Sequence, residues 1–225
     1  MTNTNIEAQV EENRRPNIAY VDEVQDERDN FFNDAYDSGL FGEIYPLSPK
    51  ADLAEFIVDL LELDIDALVS DFNLSEAGPL NYNGEQLVAT FLSVRSEFPC
   101  FIRTSYDEAA FASSEDVNRV YSKNTKDDEN AGRYLFRRIV LQINHHRRRV
   151  SQWQDELASL LDIDVVARNG AIVERILELD SKIESSFAKD QALPSHVKQS
   201  LLQTENHLIA ETERLILDMK QLLGE

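Results

Sequence analysis

The stretch "DALVSDFNLSEAGPLNYNGEQLV", residues 66–88, runs from an apolar segment into Asp71, crosses a long polar turn and resumes in a helical pattern at Gly84. An aspartate in that position has two ordinary uses: it caps a turn or a following helix, or it is a charged group held at the mouth of a sheet. The choice depends on what the neighbouring segments carry at the same level.

Four more short apolar runs resemble the one ending at Asp71: "NIAYVD" (17–22), "EIYPL" (43–47), "CFIRTS" (100–105) and "VNRVYSK" (117–123). Between them lie "VQDERDNFFNDAYDSG", "ADLAEFIVDLLELD", "GEQLVATFLSVRSEF" and "YDEAAFASSED", whose apolar residues recur at intervals of three and four. Alternation of strand and helix, with strands apolar on both faces, predicts a parallel sheet covered by helices on each side. Five strands make a doubly wound α/β domain, and such sheets bind ligands beyond the carboxyl ends of their strands. Asp71 is thereby placed on the functional edge.

The chain has 225 residues, 42% of them hydrophobic, enough for a substantial core. No apolar run approaches the roughly 20 residues of a membrane span, and the opening "MTNTNIEAQVEENRRPN" lacks a signal-peptide core; a cytoplasmic location without membrane attachment is expected. The single cysteine, Cys100, lies in "FPCFI" and is expected to be an inert core residue. Net charge is −20, concentrated in residues 1–125, where 25 Asp and Glu face 8 Lys and Arg, a balance of −17. Such a surface disfavours phosphate backbones. Arg133, Arg137, Arg138, Arg147, Arg148 and Arg149 form a local exception that fits a solvated helix face better than a nucleic-acid patch.

Residues 1–16 are polar and aperiodic and are expected to be a disordered tail. From residue 127 the pattern changes: Phe136, Ile139, Ile143, His146, Val150, Trp153, Leu157 and Leu160 follow a heptad spacing on one long helix. A second helix carries Ile172, Ile176, Leu179 and Ile183 after Asn169-Gly170, and a third opens at Pro194 with Val197, Leu201, Leu208, Leu215, Met219 and Leu222 on one face. These one-sided helices require partners, which predicts an all-α bundle or coiled coil over 127–225 and a homodimer through it.

The predicted strand ends carry Asp22 and Glu23, Asp71, Thr104 and Lys123. Three converging carboxylates repel one another unless a cation is present, and hard oxygen ligands suit Mg²⁺. A hydroxyl and an ammonium beside them suggest a phosphoryl group, whose charge the metal and Lys123 would offset.

This array, with "SDFNL" around Asp71, resembles the receiver domain of bacterial response regulators over residues 17–126. The resemblance implies a flavodoxin-like sheet of order 2-1-3-4-5. It implies that Asp71 accepts a phosphoryl group from a histidine kinase or phosphotransfer protein, with Mg²⁺ held by Asp22, Glu23, Asp71 and the backbone carbonyl of Asn73. Thr104 would follow the phosphoryl group and Lys123 would pair with the carboxylate or the phosphoryl oxygens. The chain departs from the family pattern at Asn124, where proline with a cis bond is usual, at Val120 and Tyr121, where a switch aromatic stands slightly displaced, and in the long loop before Gly84.

No enzyme signature appears in the helical half, so the expected output is a change of association with a downstream protein partner, within a two-component or phosphorelay system. Two alternatives stay open: a nucleic-acid-binding helical output, and a scaffold whose degenerate receiver never takes phosphate. His145 and His146 lie on a helix without the surroundings of a kinase histidine box, and His146 falls on the heptad seam.

Overall fold

The computed structural model describes residues 14–74, 80–105, 117–123, 131–163 and 168–187. Its elements in chain order are β1 (Ile18–Val21), α1 (Gln25–Ser38), β2 (Ile44–Leu47), α2 (Leu53–Glu62), β3 (Ala67–Asp71), α3 (Gly84–Val94), β4 (Cys100–Thr104), a 3₁₀ turn (Val117–Arg119), β5 (Val120–Ser122), α4 (Ala131–Leu161) and α5 (Gly170–Phe187). The five strands are all parallel, in the order β2-β1-β3-β4-β5. This is the doubly wound order expected, and β1 lies at its switch point. The final strand is shorter than "VNRVYSK" suggests, because residues 117–119 close a 3₁₀ turn before pairing with β4 begins. The helix expected at 106–116 and the one opening at Pro194 lie outside the described residues.

Alternation along the strands builds one core on each face. On one face Ala19, Val21, Leu68, Cys100 and Ile102 meet Phe56, Ile57 and Leu60 of α2 and Leu87, Val88 and Phe91 of α3. On the other, Ile18, Tyr20, Ala67, Val69 and Phe101 meet Phe31 and Ala35 of α1 and Leu135, Phe136, Ile139 and Ile143 of α4. Burying both faces explains why the strands read as continuous apolar runs.

The chain divides into compact units at Arg147/Arg148, beyond the expected boundary at 126/127. The cause lies in the heptad seam. Phe136, Ile139 and Ile143 fill the second face of the sheet and are 4%, 0% and 1% exposed, so this stretch is occupied within the chain and cannot form a dimer seam. Arg147 closes the segment: its guanidinium donates to Asp66 Oδ1 at 2.7 Å, at the amino end of β3. Residues 14–16, expected to belong to a loose tail, are tied down. Arg14 pairs with Asp64 at 2.6 Å, and the Pro16 carbonyl accepts from Gly42 N–H at 2.9 Å.

Within the second unit, α5 buries Ile176 and Leu179, the stripe expected from sequence. Arg175 forks onto both oxygens of Glu156 at 2.7 and 2.8 Å, and the Lys182 ammonium lies 5.8 Å from the centre of the Trp153 ring.

Candidate functional site

The route from β3 to α3 decides the role of Asp71. Helix α3 is capped by Asn83, whose side chain accepts from Gln86 N–H while the Gln86 side chain accepts from Asn83 N–H, a reciprocal capping box. Asp71 therefore has no capping duty on the helix. Its Oδ2 accepts from Asn73 N–H at 2.8 Å, an Asx turn that starts the loop, and its Oδ1 is left to face the sheet edge. Gly84 lies against the strand end, its N–H donating to the Phe72 carbonyl at 2.8 Å. Any side chain there would collide with the Asp71 backbone, since a Cβ built on Gly84 stands 1.9 Å from the Asp71 carbonyl oxygen. The glycine that reopens the helical pattern is thus the residue that lets the helix approach Asp71.

Strand pairing sets Val21 level with Ser70, which places Asp22 beside Asp71 one step on. Asp22, Asp71 and Lys123 continue the alternation of Tyr20, Val69 and Tyr121, so all three extend from the face covered by α1 and α4. The Lys123 ammonium bridges the two acids, 2.8 Å from Asp22 Oδ2 and 2.6 Å from Asp71 Oδ1, with Glu27 3.6 Å away. The side chains of Asp22, Asp71 and Lys123 are 1%, 10% and 12% exposed.

Asp22, Glu23 and Asp71 each offer an oxygen, and these lie within 4.8 Å of one another. Glu23 Oε2 is buried and has no hydrogen-bond partner among the described residues. Three carboxylates against one ammonium leave the pocket strongly negative, and an orphaned buried carboxylate oxygen is costly. A hard divalent cation answers both deficits, so the residues present fit Mg²⁺. Burial pushes the Glu23 carboxyl above its ordinary range, with Asp22 and Asp71 reinforcing the shift. Burial does the same to Asp71, partly offset by Lys123. For Lys123, burial pulls the ammonium down, but hydrogen bonds and charges from Asp22 and Asp71 outweigh it and leave the group above its ordinary value.

Thr104 is buried at the end of β4, on the alternation of Cys100 and Ile102, and its carbonyl accepts from Lys123 N–H at 2.6 Å. Asp22, Glu23, Asp71 and Lys123, all expected at strand ends, thus meet in one pocket, with Thr104 and Asn73 at its margins. Three supports carry no sequence expectation. Tyr20 donates its hydroxyl to Asp22 Oδ2 at 2.6 Å, Arg28 donates to the Asp22 carbonyl at 2.6 Å, and Glu27 borders Lys123. Arg28 and Glu27 sit on the first turns of α1, six and five residues beyond Asp22, a spacing that returns a helix side chain to the strand end. Nothing in the sequence marks the Tyr20 contact.

Arg103, unusual in a buried strand, lies beneath this pocket with its guanidinium 5.6 Å from the Tyr20 ring centre and 5.4 Å from that of Phe31. Cys100 is buried, and burial pushes its thiol up to about 12, which agrees with an inert role. His146 meets Phe98 edge-on at 6.1 Å and is a half-buried packing residue, while His145 is exposed. No cis peptide occurs among the described residues, and the bond to Asn124 lies outside them. No helix among the described residues is long and apolar enough to cross a membrane.

No protein-family model matches the chain. No curated protein matches it either. Among solved structures it is similar to the anti-anti-sigma factor PhyR of Bartonella quintana, at 10% identity and a TM-score of 0.45, covering 67% of this chain and 56% of that one. It is also similar to the response regulator RcsB of Salmonella enterica serovar Typhimurium bound to promoter DNA with a phosphomimetic, at 15% identity and a TM-score of 0.40, covering 85% of this chain and 100% of that one. Its structural neighbours thus include response regulators; the receiver-like architecture itself stands on the strand order.

Proposed function

We propose that the chain is a phosphorylation-controlled signalling protein of a two-component or phosphorelay system, with Asp71 as the phospho-acceptor. One observation carries this reading. The Lys123 ammonium joins Asp22 to Asp71 at the rim of a parallel sheet, beside a buried Glu23 oxygen that has no hydrogen-bond partner among the described residues. Structural ion pairs are normally balanced; this one has a surplus of carboxylates, whose oxygens lie within 4.8 Å of one another.

The reaction asks little covalent machinery of the protein. An Asp71 oxygen attacks phosphorus, an acyl phosphate O–P bond forms, and the P–N bond to the donor's histidine breaks, the imidazole leaving with a proton. Asn73 N–H holds one Asp71 oxygen and Lys123 the other, so the nucleophile is fixed before the donor arrives. A Mg²⁺ held by Asp22, Glu23, Asp71 and the Asn73 carbonyl would neutralise charge on the phosphoryl oxygens. Thr104 stands at the end of the adjoining strand to meet the product, and Lys123 pairs with it.

The product adds roughly −1.5 to −2 charges to the pocket, by analogy with other phosphorylated side chains. The expected consequence is altered association with a protein partner, with residues beyond 147 as the contact region, since the earlier part of α4 is consumed by the sheet. A homodimer through those helices would use residues other than Ile176 and Leu179, which are already buried within the chain. The nucleic-acid alternative loses support because Arg147 is committed to Asp66 and Arg138 lies over the Tyr121 and Tyr134 rings.

Incubation with Mg²⁺ and acetyl phosphate followed by intact-mass measurement tests the reading. Wild type is expected to gain one phosphoryl group and Asp71→Asn none. Wild type that stays unmodified sinks the proposal in favour of a phosphorylation-independent scaffold.

A further inference from the structure

The hydroxyl of Tyr20 reaches the pocket from inside the sheet, where an aromatic is ordinarily core. Tyr20 lies in β1 two residues before Asp22, on the same face, and is fully buried. Its ring is clamped: it stacks on Phe31 with centroids 4.0 Å apart and planes 13° from parallel, and the Arg103 guanidinium lies 5.6 Å from the ring centre. Phe31 is itself wedged edge-on against Phe136 of α4 at 5.4 Å. A ring so confined carries its hydroxyl to one place, and that place is Asp22 Oδ2 at 2.6 Å.

The consequence for Asp22 follows from counting lone pairs. Oδ2 accepts from both the Tyr20 hydroxyl and the Lys123 ammonium, which saturates it, while Oδ1 accepts from Val24 N–H at 2.9 Å and, among the described residues, keeps one lone pair. The carboxylate is held from both ends, so its rotation is removed before any cation arrives. A buried donor facing a carboxylate also offsets part of the cost of burying that charge.

We propose that Tyr20 is a positioning residue for cation binding: its hydroxyl locks Asp22 so that the remaining lone pair of Oδ1 is presented to a divalent ion shared with Glu23 and Asp71. This rests on the phospho-acceptor reading of the site. Supporting hydrogen bonds of this kind, when removed, weaken metal affinity by about 10- to 100-fold.

The experiment uses the full chain and its Y20F variant, which deletes one oxygen and keeps the ring. Mn²⁺ binding is followed by electron paramagnetic resonance, Mg²⁺ by competition, and phosphorylation by acetyl phosphate as a function of Mg²⁺. Y20F is expected to melt somewhat lower in EDTA, since buried Asp22 loses a donor, to bind Mn²⁺ about tenfold more weakly, and to reach nearly the wild-type phosphorylation rate once Mg²⁺ is saturating. A variant that binds Mn²⁺ as wild type does, or loses only thermal stability, overturns the inference while leaving the phospho-acceptor reading intact. Wild type that binds no Mn²⁺ removes the cation site and the inference with it. Should Y20F fail to fold, proton NMR of the wild type decides. A slowly exchanging downfield hydroxyl proton that moves when Mg²⁺ is added is expected, and a hydroxyl signal indifferent to Mg²⁺ overturns the inference.

Discussion

Replacing Gly84 by alanine isolates the contact that sets Asp71 in place. The backbone there is helical and ordinary for any residue, since Gly39 and Glu97 are the described residues with positive φ, so the substitution tests space alone. The new methyl would stand 1.9 Å from the Asp71 carbonyl oxygen, 2.8 Å from Ser70 Oγ and 2.9 Å from the Asp71 carbonyl carbon, where real Cβ atoms essentially never come closer than 3.0 Å. Helix and strand end must therefore part by at least 1.1 Å, the difference between 3.0 and 1.9. The two Asp71 atoms are backbone in a buried strand, so side-chain rotation can relieve only the Ser70 contact. Overpacking of this kind costs about 3 kcal/mol at the upper end of its usual range, offset by up to about 1 kcal/mol of helix propensity gained over glycine. A net loss of about 2 kcal/mol lowers the melting temperature by roughly 4–8 °C for a unit of this size. The chemical effect is larger, because displacing a nucleophile by about 1 Å reduces its rate on the order of 100-fold. Thermal melts and the rate of mass gain with acetyl phosphate measure the two effects separately. An alanine variant that melts with wild type and accepts phosphate at the wild-type rate refutes the close approach as the determinant of Asp71 geometry.

Three further outcomes are expected. Lys123→Met leaves Asp22, Glu23 and Asp71 facing one another without an ammonium, and breaking a buried pair of this kind costs about 3–5 kcal/mol; melts in EDTA are expected to show that loss and added Mg²⁺ to recover much of it, whereas a variant insensitive to Mg²⁺ argues against a cation site. Phe136→Ala empties a fully packed position on the second face of the sheet and is expected to destabilise by about 3–5 kcal/mol, independently of protein concentration; a loss that grows on dilution places Phe136 in an intermolecular seam instead. Metal-free stability is expected to respond to pH with a defined sign. Glu23 and Asp71 are raised by burial, so the folded form binds protons more readily than the unfolded one, and their contribution improves as pH falls from above their raised values toward the ordinary carboxylate range. Lys123, raised overall, contributes stability that is complete below its ordinary value and fades as pH climbs past it. Chemical denaturation of wild type against Glu23→Gln across this range checks the acidic arm, and an unchanged difference between the two proteins contradicts it.

The strands were legible because burial on both faces leaves an unbroken apolar run, and the acids at their ends stood out against it. Gly84 was legible as a helix start, but its packing reason was not, since a backbone contact leaves no pattern in side-chain chemistry. The heptad seam shows the opposite limit. A 3-4 spacing reports that one face of a helix is buried and says nothing of what covers it, so Phe136, Ile139 and Ile143 read as a coiled coil when their partner is the sheet. Tyr20 has no signal in the sequence because an aromatic in a buried strand is ordinary core, and its hydroxyl reaches Asp22 only through the fold, two residues along the same face. Arg147 and Asp66 are 81 positions apart, a distance across which charge pattern carries no signal.

The chain contains one cysteine, and that residue is 3% exposed in the central part of the sheet. Maleimide or disulfide reagents should therefore find no target while the sheet is closed, and the rate at which they do react becomes a clock for how often β4 opens under native conditions. Because that strand ends at Thr104, the same clock run with and without acetyl phosphate would register whether filling the pocket tightens the sheet around it, with no label or mutation introduced.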